Sequence, residues 1–220
     1  MDIQRTRHLT LQNAYSRCGS AAVAFLDESF RGPDEHTGES PFYLMTAVVV
    51  EKNDMEAIRK DLGEIADGSY WHTTEAYQTN TGAERIMSML QYLADGDEPL
   101  VVALRRGLDE TVRTLEEARA LCLTKLASTL SASAQDRRTD LLVLEERKNR
   151  DLRGLDEKTI RAARSSGAVP RNLVFHQTSP SCERLLWLPD LVSFALRREV
   201  ANRETRLMDV IRSMTEIINL

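Results

Sequence analysis

The stretch that decides the fold is AAVAFLDES, residues 21–29, in which six apolar residues are followed by Asp27 and Glu28. A short apolar run containing Val, Phe and small residues predicts a buried strand rather than a helix. Two adjacent carboxylates at the end of a buried strand resist ionisation unless a cation or hydrogen-bond donors compensate. We therefore expect a divalent metal ion here. The position alone leaves equally open that both acids simply begin a solvated loop.

The length, charge and cysteine content indicate one intracellular domain. The chain has 220 residues, which is enough for a single domain with its own core. Its net charge of -5 argues against a broadly basic nucleic-acid-binding surface and leaves room for a local basic groove. The widely separated Cys18, Cys122 and Cys182 predict neither a disulfide framework nor a structural zinc site. Without an apolar leader or a membrane-length apolar stretch, the sequence predicts a soluble, cytoplasmic protein.

The rest of the chain alternates strand-like apolar runs with helical patterns. Four further runs predict strands at residues 42–50, 99–104, 141–144 and 172–176. Apolar residues at steps of three and four predict helices at residues 54–66, 86–93, 109–130, 156–163 and 188–196, and a C-terminal helix at about 200–220. This order predicts an α/β fold in one domain, residues 1–220. A five-stranded mixed sheet is flanked by helices, with a helical insertion at about 53–97.

Acidic residues recur at two other element ends. The fourth predicted strand ends in Glu145 and Glu146, which repeats the first motif, and Asp190 lies in the first turn of a predicted helix. Each position has a plainer explanation. The helix dipole favours Asp190 without any chemistry, and the two glutamates precede the basic residues 147–150 and suit a surface charge network. Three acidic element ends are less probable by chance than any one of them, and this favours a shared metal site.

The order of the elements and the placement of the acids resemble a ribonuclease H-like fold. That fold begins with three antiparallel strands, adds two parallel strands through helical crossovers, and carries acids on the first strand, the fourth strand and a late helix. Three segments are similar to the bacterial proteins grouped as domain of unknown function 3800, which are thought to be ribonuclease H-like. They are FLDES at residues 25–29, His72 with Glu75, and LLWLPDLVSFALRR at residues 185–198. The chain departs from that family in having Phe30 for Gly, Pro189 for Ala, and Glu145 for a strand-end Asp.

The resemblance implies a carboxylate site that binds Mg²⁺ or Mn²⁺. Two such ions about 3.5–4 Å apart can clamp a scissile phosphate, and they prefer oxygen ligands from a few acids. The expected metal ligands are Asp27, Glu75, Glu145, Glu146 and Asp190. The expected catalytic residues are Asp27, Glu28, His72, Glu75, Glu145 and Asp190, with His72 positioning water, transferring a proton or contacting a phosphate. Alternatively, His72 packs beside Trp71 and Glu75 is an ordinary helix-start acid.

Nucleic acid, either DNA or RNA, is the expected partner. Arginines and lysines occur near the proposed acids in two clusters. The first consists of Arg137–Arg138, residues 147–153, Arg161, Arg164 and Arg171. The second consists of Arg197–Arg198, Arg203 and Arg206. A groove lined by them would neutralise phosphates, whereas helix-surface pairing with glutamates is the alternative. The function predicted is a metal-dependent nuclease or a related phosphoryl-transfer enzyme. The alternatives are a ribonuclease H-like binding module that no longer cuts, in a defence or mobile-element system, and a homodimeric scaffold built on the C-terminal helix.

Overall fold

The strands form one mixed sheet with helices on both faces. The computed structural model describes residues 3–33, 39–132 and 138–220. In that part of the chain the strands are β1 (Ala22–Arg31), β2 (Phe42–Glu51), β3 (Leu100–Arg106), β4 (Thr139–Glu145), β5 (Val174–Thr178) and β6 (Thr215–Asn219). Their order across the sheet is β5-β4-β1-β2-β3-β6. Strands β1, β2 and β3 are antiparallel neighbours, while β4 is parallel to β1, β5 to β4, and β6 to β3.

The helices divide the core into two layers. They are α1 (Ile3–Arg17), α2 (Met55–Ala66), α3 (Thr73–Ala76), α4 (Asn80–Asp95), α5 (Leu115–Ala132), α6 (Arg150–Ser165), α7 (Trp187–Asn202) and α8 (Arg206–Ile211), with 3₁₀ turns at Arg184–Leu186 and Arg212–Met214. One core cluster joins α1, α2, α4, α7 and α8 to the sheet, and we call that side the α7 face. The other cluster joins α5 and α6 to the opposite side, the α5 face.

Successive side chains of a strand point to opposite faces, and this alternation is clear in β1. Val23 and Phe25 belong to the core on the α7 face, whereas Ala24 and Leu26 belong to the core on the α5 face. All four side chains are completely buried. The strand is therefore apolar on both faces up to Leu26, as the sequence predicts for a central strand.

Strand β1 does not end at its acids. It continues through Asp27 and Glu28 to Arg31, pairing with β2 along its full length. The prediction that the acids follow the strand is therefore wrong, and so is the alternative that they begin a loop. Because they lie within the strand, the two-residue alternation sends their side chains to different faces.

The C-terminal segment differs from the predicted helix at about 200–220. Helix α7 ends at Asn202, α8 is short, and the chain then forms β6 beside β3. The sheet therefore has six strands instead of five. Of the apolar residues that suggested a dimer face, Leu207 and Ile211 are buried in the core of this chain, and Val210, Met214 and Ile217 are partly buried against that core. That helix face is thus already covered, which removes the reason for proposing dimerisation through it.

The predicted helical insertion at about 53–97 corresponds to α2, α3 and α4, which pack on the α7 face. The segment 68–82, which looks irregular in sequence, contains α3 and the start of α4. Arg137 of the first basic cluster lies outside the described residues. All three cysteines are free, in agreement with the sequence prediction. Within the described ranges no helix is both long enough and apolar enough to cross a membrane.

Candidate functional site

Two of the predicted acids, Asp27 and Glu145, lie side by side on the α7 face. Asp27 follows Phe25 by two residues and is therefore on the same face, where it is 8% exposed. In β4, Leu141 and Val143 belong to the core on the α7 face, so Glu145 points the same way. The parallel strands pair Leu26 with Leu144, which makes Asp27 and Glu145 the next neighbours along both strands.

Helix α7 brings Asp190 to the same place. The helix packs across β1 and β2, and Ser193 donates a hydrogen bond of 2.8 Å to Thr46. Thr46 is the β2 partner of Asp27 in the antiparallel pairing. Asp190 lies one helical turn before Ser193, on the same side of the helix. Three distant segments of the chain therefore place three carboxylates together.

Burial raises the pKa of all three carboxylates, and neighbouring acids raise it further at Asp27 and Glu145. Burial, followed by the charges of Glu28, Asp190 and Glu145, holds the pKa of Asp27 well above its usual range. For Glu145 too, burial is the largest cause of the raised pKa, and the charge of Asp190 is the next. The pKa of Glu145 is about 7. Burial raises the pKa of Asp190, against the opposing effects of hydrogen bonds from Thr73 and the charge of His72. The site thus concentrates negative charge that nothing in it neutralises fully.

None of these three acids forms an ion pair within the described residues. The two other fully buried acids there, Asp156 and Glu183, both do. Asp156 pairs with Arg119 at 2.6 Å, and Glu183 pairs with Arg59 at 2.7 Å. Buried carboxylates normally have such partners, because burying an uncompensated charge is costly. Asp27, Glu145 and Asp190, which we call the acid cluster, therefore share one site without such a partner among the described residues, while the partly buried Glu98 is a further unpaired acid outside that cluster.

Glu28 is not part of the acid cluster, which corrects its predicted catalytic role. Its side chain points to the α5 face and forms an ion pair with Arg119, which is 2% exposed. Arg119 also donates to both carboxylate oxygens of Asp156, at 2.6 and 2.9 Å, and to the hydroxyl of Tyr43 at 2.8 Å. Gln177 donates to Asp156 at 2.9 Å. Glu28 thus belongs to a buried polar network beneath the acid cluster, on the far side of the sheet.

Glu146 is also better explained without a metal. It forms ion pairs with Arg7 of α1 and, at 3.0 Å, with Arg153 of α6. The surface charge network considered from the sequence is therefore present, although its partners are not the adjacent residues 147–150. With both arginines in contact, Glu146 connects three elements at the end of β4, and its predicted role as a metal ligand is not supported.

A short chain of donors orients Asp190. The indole N–H of Trp71 donates to the hydroxyl of Thr73 at 2.9 Å, and that hydroxyl donates to Oδ2 of Asp190 at 2.8 Å. The backbone N–H of Thr73 donates to the same oxygen at 3.2 Å. Thr73 was not among the predicted site residues, although it lies between the predicted His72 and Glu75. A hydroxyl residue beside candidate acids is the signal that could have found it.

His72 and Glu75 lie at the edge of the site, and both are exposed. His72 precedes Thr73, and its charge lowers the pKa of Asp190. The alternative that His72 is packed in the core is therefore wrong. Glu75 accepts a hydrogen bond of 3.3 Å from the hydroxyl of Tyr70. The structure thus brings His72 close to the acid cluster and gives Glu75 a different neighbour.

The acid cluster has the ligand types of a divalent metal site, but its side chains are not arranged as a complete one. Among residues 3–33, 39–132 and 138–220, no three His, Cys, Asp or Glu side chains are arranged as a metal-coordinating group. The acid cluster nevertheless consists only of carboxylate oxygens, the ligands that Mg²⁺ and Mn²⁺ prefer. Both hydrogen bonds from Thr73 reach Oδ2 of Asp190, so Oδ1 is the oxygen that they leave to a metal.

Five basic side chains of the two predicted clusters already have partners. Within the described residues these pairs are Arg138 with Asp140, Arg147 with Glu116, Arg153 with Glu146, Arg198 with Glu204, and Arg164 with the carbonyl of Leu173. Arg161 is on α6, and Arg171 precedes the start of β5. Four of these five paired side chains belong to the first cluster. Arg197 is different, because it contacts β1 next to the acid cluster.

The metal-free protein should lose stability as the pH rises from about 5 to about 8. The pKa of Glu145 is 4.5 in its ordinary environment and about 7 in the folded chain, so folding takes up a proton between these values. The corresponding stability is complete below the lower pKa and is lost as the pH passes the higher one, a change of roughly 2–4 kcal/mol. Urea unfolding in the presence of a chelator measures it.

Two variants make this pH test specific. In Glu145→Gln, the part of the stability loss with rising pH that belongs to Glu145 should disappear. Glu157→Gln changes an exposed acid of α6 and should keep the wild-type pH profile. Equal pH profiles for wild type and Glu145→Gln would show that Glu145 is not in a charge-repelling site.

Compared with the models of known protein families and with curated protein sequences, the chain matches none.

Proposed function

We propose that this protein is a metal-dependent nuclease, or a related phosphoryl-transfer enzyme, of the ribonuclease H-like type. Asp27, Glu145 and Asp190 hold Mg²⁺ or Mn²⁺, and the substrate is DNA or RNA. One observation carries the proposal: β1, β4 and α7 bring three carboxylates together, and none of them forms an ion pair in the described part of the chain. A cluster of this kind destabilises a fold, which makes a functional role the better explanation.

The strand order supports the ribonuclease H-like assignment. The order β3-β2-β1-β4-β5, with three antiparallel strands followed by two parallel ones, is the order of that fold. Strand β6 is then an addition beside β3. The acids also lie on the first strand, the fourth strand and a late helix, which agrees with the resemblance to domain of unknown function 3800.

A divalent cation fits the electrostatics of the acid cluster. Three carboxylates that the fold holds close together repel one another when ionised, and a divalent ion replaces this repulsion with attraction. When bound, the metal would activate a water molecule and stabilise the charge on the leaving oxygen of a phosphodiester. The residues of the chain have simpler tasks. Thr73 holds Asp190 in place, and His72, exposed beside it, is the candidate for proton transfer or for a phosphate contact.

Calorimetric titration with Mn²⁺, paired with a nuclease assay, tests the proposal. The wild-type protein should bind Mn²⁺ and cut single-stranded or double-stranded DNA or RNA in its presence. Asp190→Asn should weaken Mn²⁺ binding at least about ten-fold, because a carboxylate ligand is lost. Glu84→Gln, an exposed acid on α4, is the matched control and should bind as wild type does. Mn²⁺ binding that is equal in all three proteins would disprove the site.

The leading alternative is a ribonuclease H-like module that binds nucleic acid without cutting it. Its supporting observation is Glu145, which stands where the resembling family usually has Asp. The longer side chain moves the carboxylate away from the strand, and metal-supported cleavage depends on ligand geometry. The same experiments separate the two functions. Nucleic-acid binding without Mn²⁺ binding or cleavage indicates the module, and it would fit the cytoplasmic location predicted from the sequence.

A further inference from the structure

Two basic side chains beside the acid cluster lack an acidic partner. Among the ion pairs of the described residues, none includes Arg197 of α7 or Lys148, which follows β4. Both side chains are exposed. Their neighbours Arg147 and Arg198 are both paired with glutamates. The unpaired positions are therefore specific ones within two basic runs.

Arg197 extends the site along β1. It lies seven residues after Asp190, two turns further along the same side of α7. Its Nη1 donates to the hydroxyl of Ser29 at 3.3 Å and to the carbonyl of Phe30 at 3.2 Å. Ser29 is two residues beyond Asp27 and therefore on the same face of the strand. The guanidinium thus lies next to the acid cluster, and these hydrogen bonds use only one of its three nitrogens.

Lys148 follows β4, the other strand of the site. It follows Glu145 by three residues, and its charge partly opposes the rise in the pKa of Glu145. The two cations therefore belong to different elements of the site, because Lys148 follows β4 and Arg197 of α7 contacts β1. A polyanion that crosses the cluster from β4 to β1 would meet both cations.

We propose that Lys148 and Arg197 bind the backbone phosphates that flank the scissile one, and so hold a nucleic-acid strand across the acid cluster. This inference rests on the proposed function. A chain with a net charge of -5 and three clustered carboxylates repels a polyanion unless local cations compensate. A guanidinium with free nitrogens suits a phosphate because it can donate two parallel hydrogen bonds. Both contacts are to the backbone and carry no sequence preference.

The test measures how salt weakens the binding of a 20-nucleotide DNA strand and of its duplex by fluorescence anisotropy. Asp27→Asn is the background, with chelator present, so that the DNA stays intact and no metal is required. Arg197→Ala and Lys148→Ala should each weaken binding roughly ten-fold at about 50 mM salt. Each should also lower the slope of log affinity against log salt by roughly 0.7 for the single strand or 0.9 for the duplex.

Matched controls separate a phosphate contact from a structural effect. Lys125→Ala, on the α5 face, removes an exposed charge and should leave the slope unchanged. Arg197→Lys keeps the charge and should keep the slope, although it changes the contacts with Ser29 and Phe30. If the role of Arg197 is purely structural, Arg197→Ala should instead leave the slope unchanged.

The outcomes distinguish this inference from the proposed function. Salt slopes that are equal in wild type, Arg197→Ala and Lys148→Ala, or no binding of either DNA at low salt, overturn the phosphate contacts. Mn²⁺ binding to the wild-type acid cluster can still be observed in that case, and the proposed function then stands. If the slopes fall as expected but Mn²⁺ does not bind, the phosphate contacts of Lys148 and Arg197 are retained, and the nuclease function is rejected.

Discussion

Replacing Asp27 with Asn is expected to abolish cleavage while stabilising the metal-free protein. Loss of a metal ligand removes several kcal/mol of transition-state stabilisation, so the turnover rate should fall about 10³-fold or more. The free energy of unfolding should rise, because burial and three neighbouring acids hold the pKa of Asp27 well above its usual range. At neutral pH the carboxyl group of Asp27 therefore lowers the free energy of unfolding, and the uncharged amide of Asn removes this cost.

Urea unfolding with chelator at about pH 8 and a single-turnover cleavage assay measure the two effects. Asp156→Asn is the matched comparison, because it neutralises a buried aspartate that is paired with Arg119. That variant should lose stability. If Asp27→Asn and Asp156→Asn destabilise the protein alike, Asp27 is an ordinary buried acid with an unrecognised partner, and the metal site loses its main support.

Replacing Arg119 with Met is expected to cost about 3–5 kcal/mol of folding free energy, the usual result of removing one member of a buried ion pair. Arg119 is 2% exposed and is bound by Glu28, Asp156 and Tyr43. Without it, two buried carboxylates have no cation, and one of them, Glu28, also raises the pKa of Asp27 and Glu145. Urea unfolding at neutral pH measures the loss.

A second variant keeps this prediction testable if Arg119→Met does not fold. Combining Arg119→Met with Glu28→Gln and Asp156→Asn removes all three charges, and it should recover most of the lost stability, because replacing a whole buried charge group is often nearly neutral. A triple variant as unstable as Arg119→Met would instead show that the side chain of Arg119 matters for its packing and not for its charge.

The carboxylates of the site were predictable because they depend on local patterns. An apolar run that reaches Asp27, another that reaches Glu145, and an acid in the first turn of α7 are all visible in the sequence. The two-residue alternation of strands could also have separated Asp27 from Glu28, since it requires adjacent side chains to point to opposite faces. The prediction did not place Asp27 and Glu28 on opposite faces, because it placed both acids after the strand and not within it.

Strand β6 could not be recognised from its own residues. Leu207, Val210, Ile211 and Met214 have helical spacing, and Ile217 and Ile218 continue it, so the pattern predicts one long helix. The strand conformation comes from backbone pairing with β3, more than 100 residues away in sequence. Long-range pairing overrides local preference in this way, because β propensity depends strongly on context.

The supporting residues of the site depend on tertiary structure. Nothing local shows that Thr73 reaches Asp190, 117 residues later, or that Arg197 contacts Ser29, 168 residues earlier. Basic runs in the sequence also do not show which cations are paired. Only packing distinguishes Arg198, which pairs with Glu204, from Arg197, which has no acidic partner in the described part of the chain.

The two acids of β1 also bear on how the sheet assembles. Residues 23–26 are apolar on both faces, so hydrophobicity alone hardly distinguishes the native alignment of β1 from one shifted by a single position. Such a shift would turn Glu28 toward Asp190 and leave Arg119 without its glutamate. A misaligned sheet would then lack the ion pair between Glu28 and Arg119, so these two residues favour the native alignment of β1.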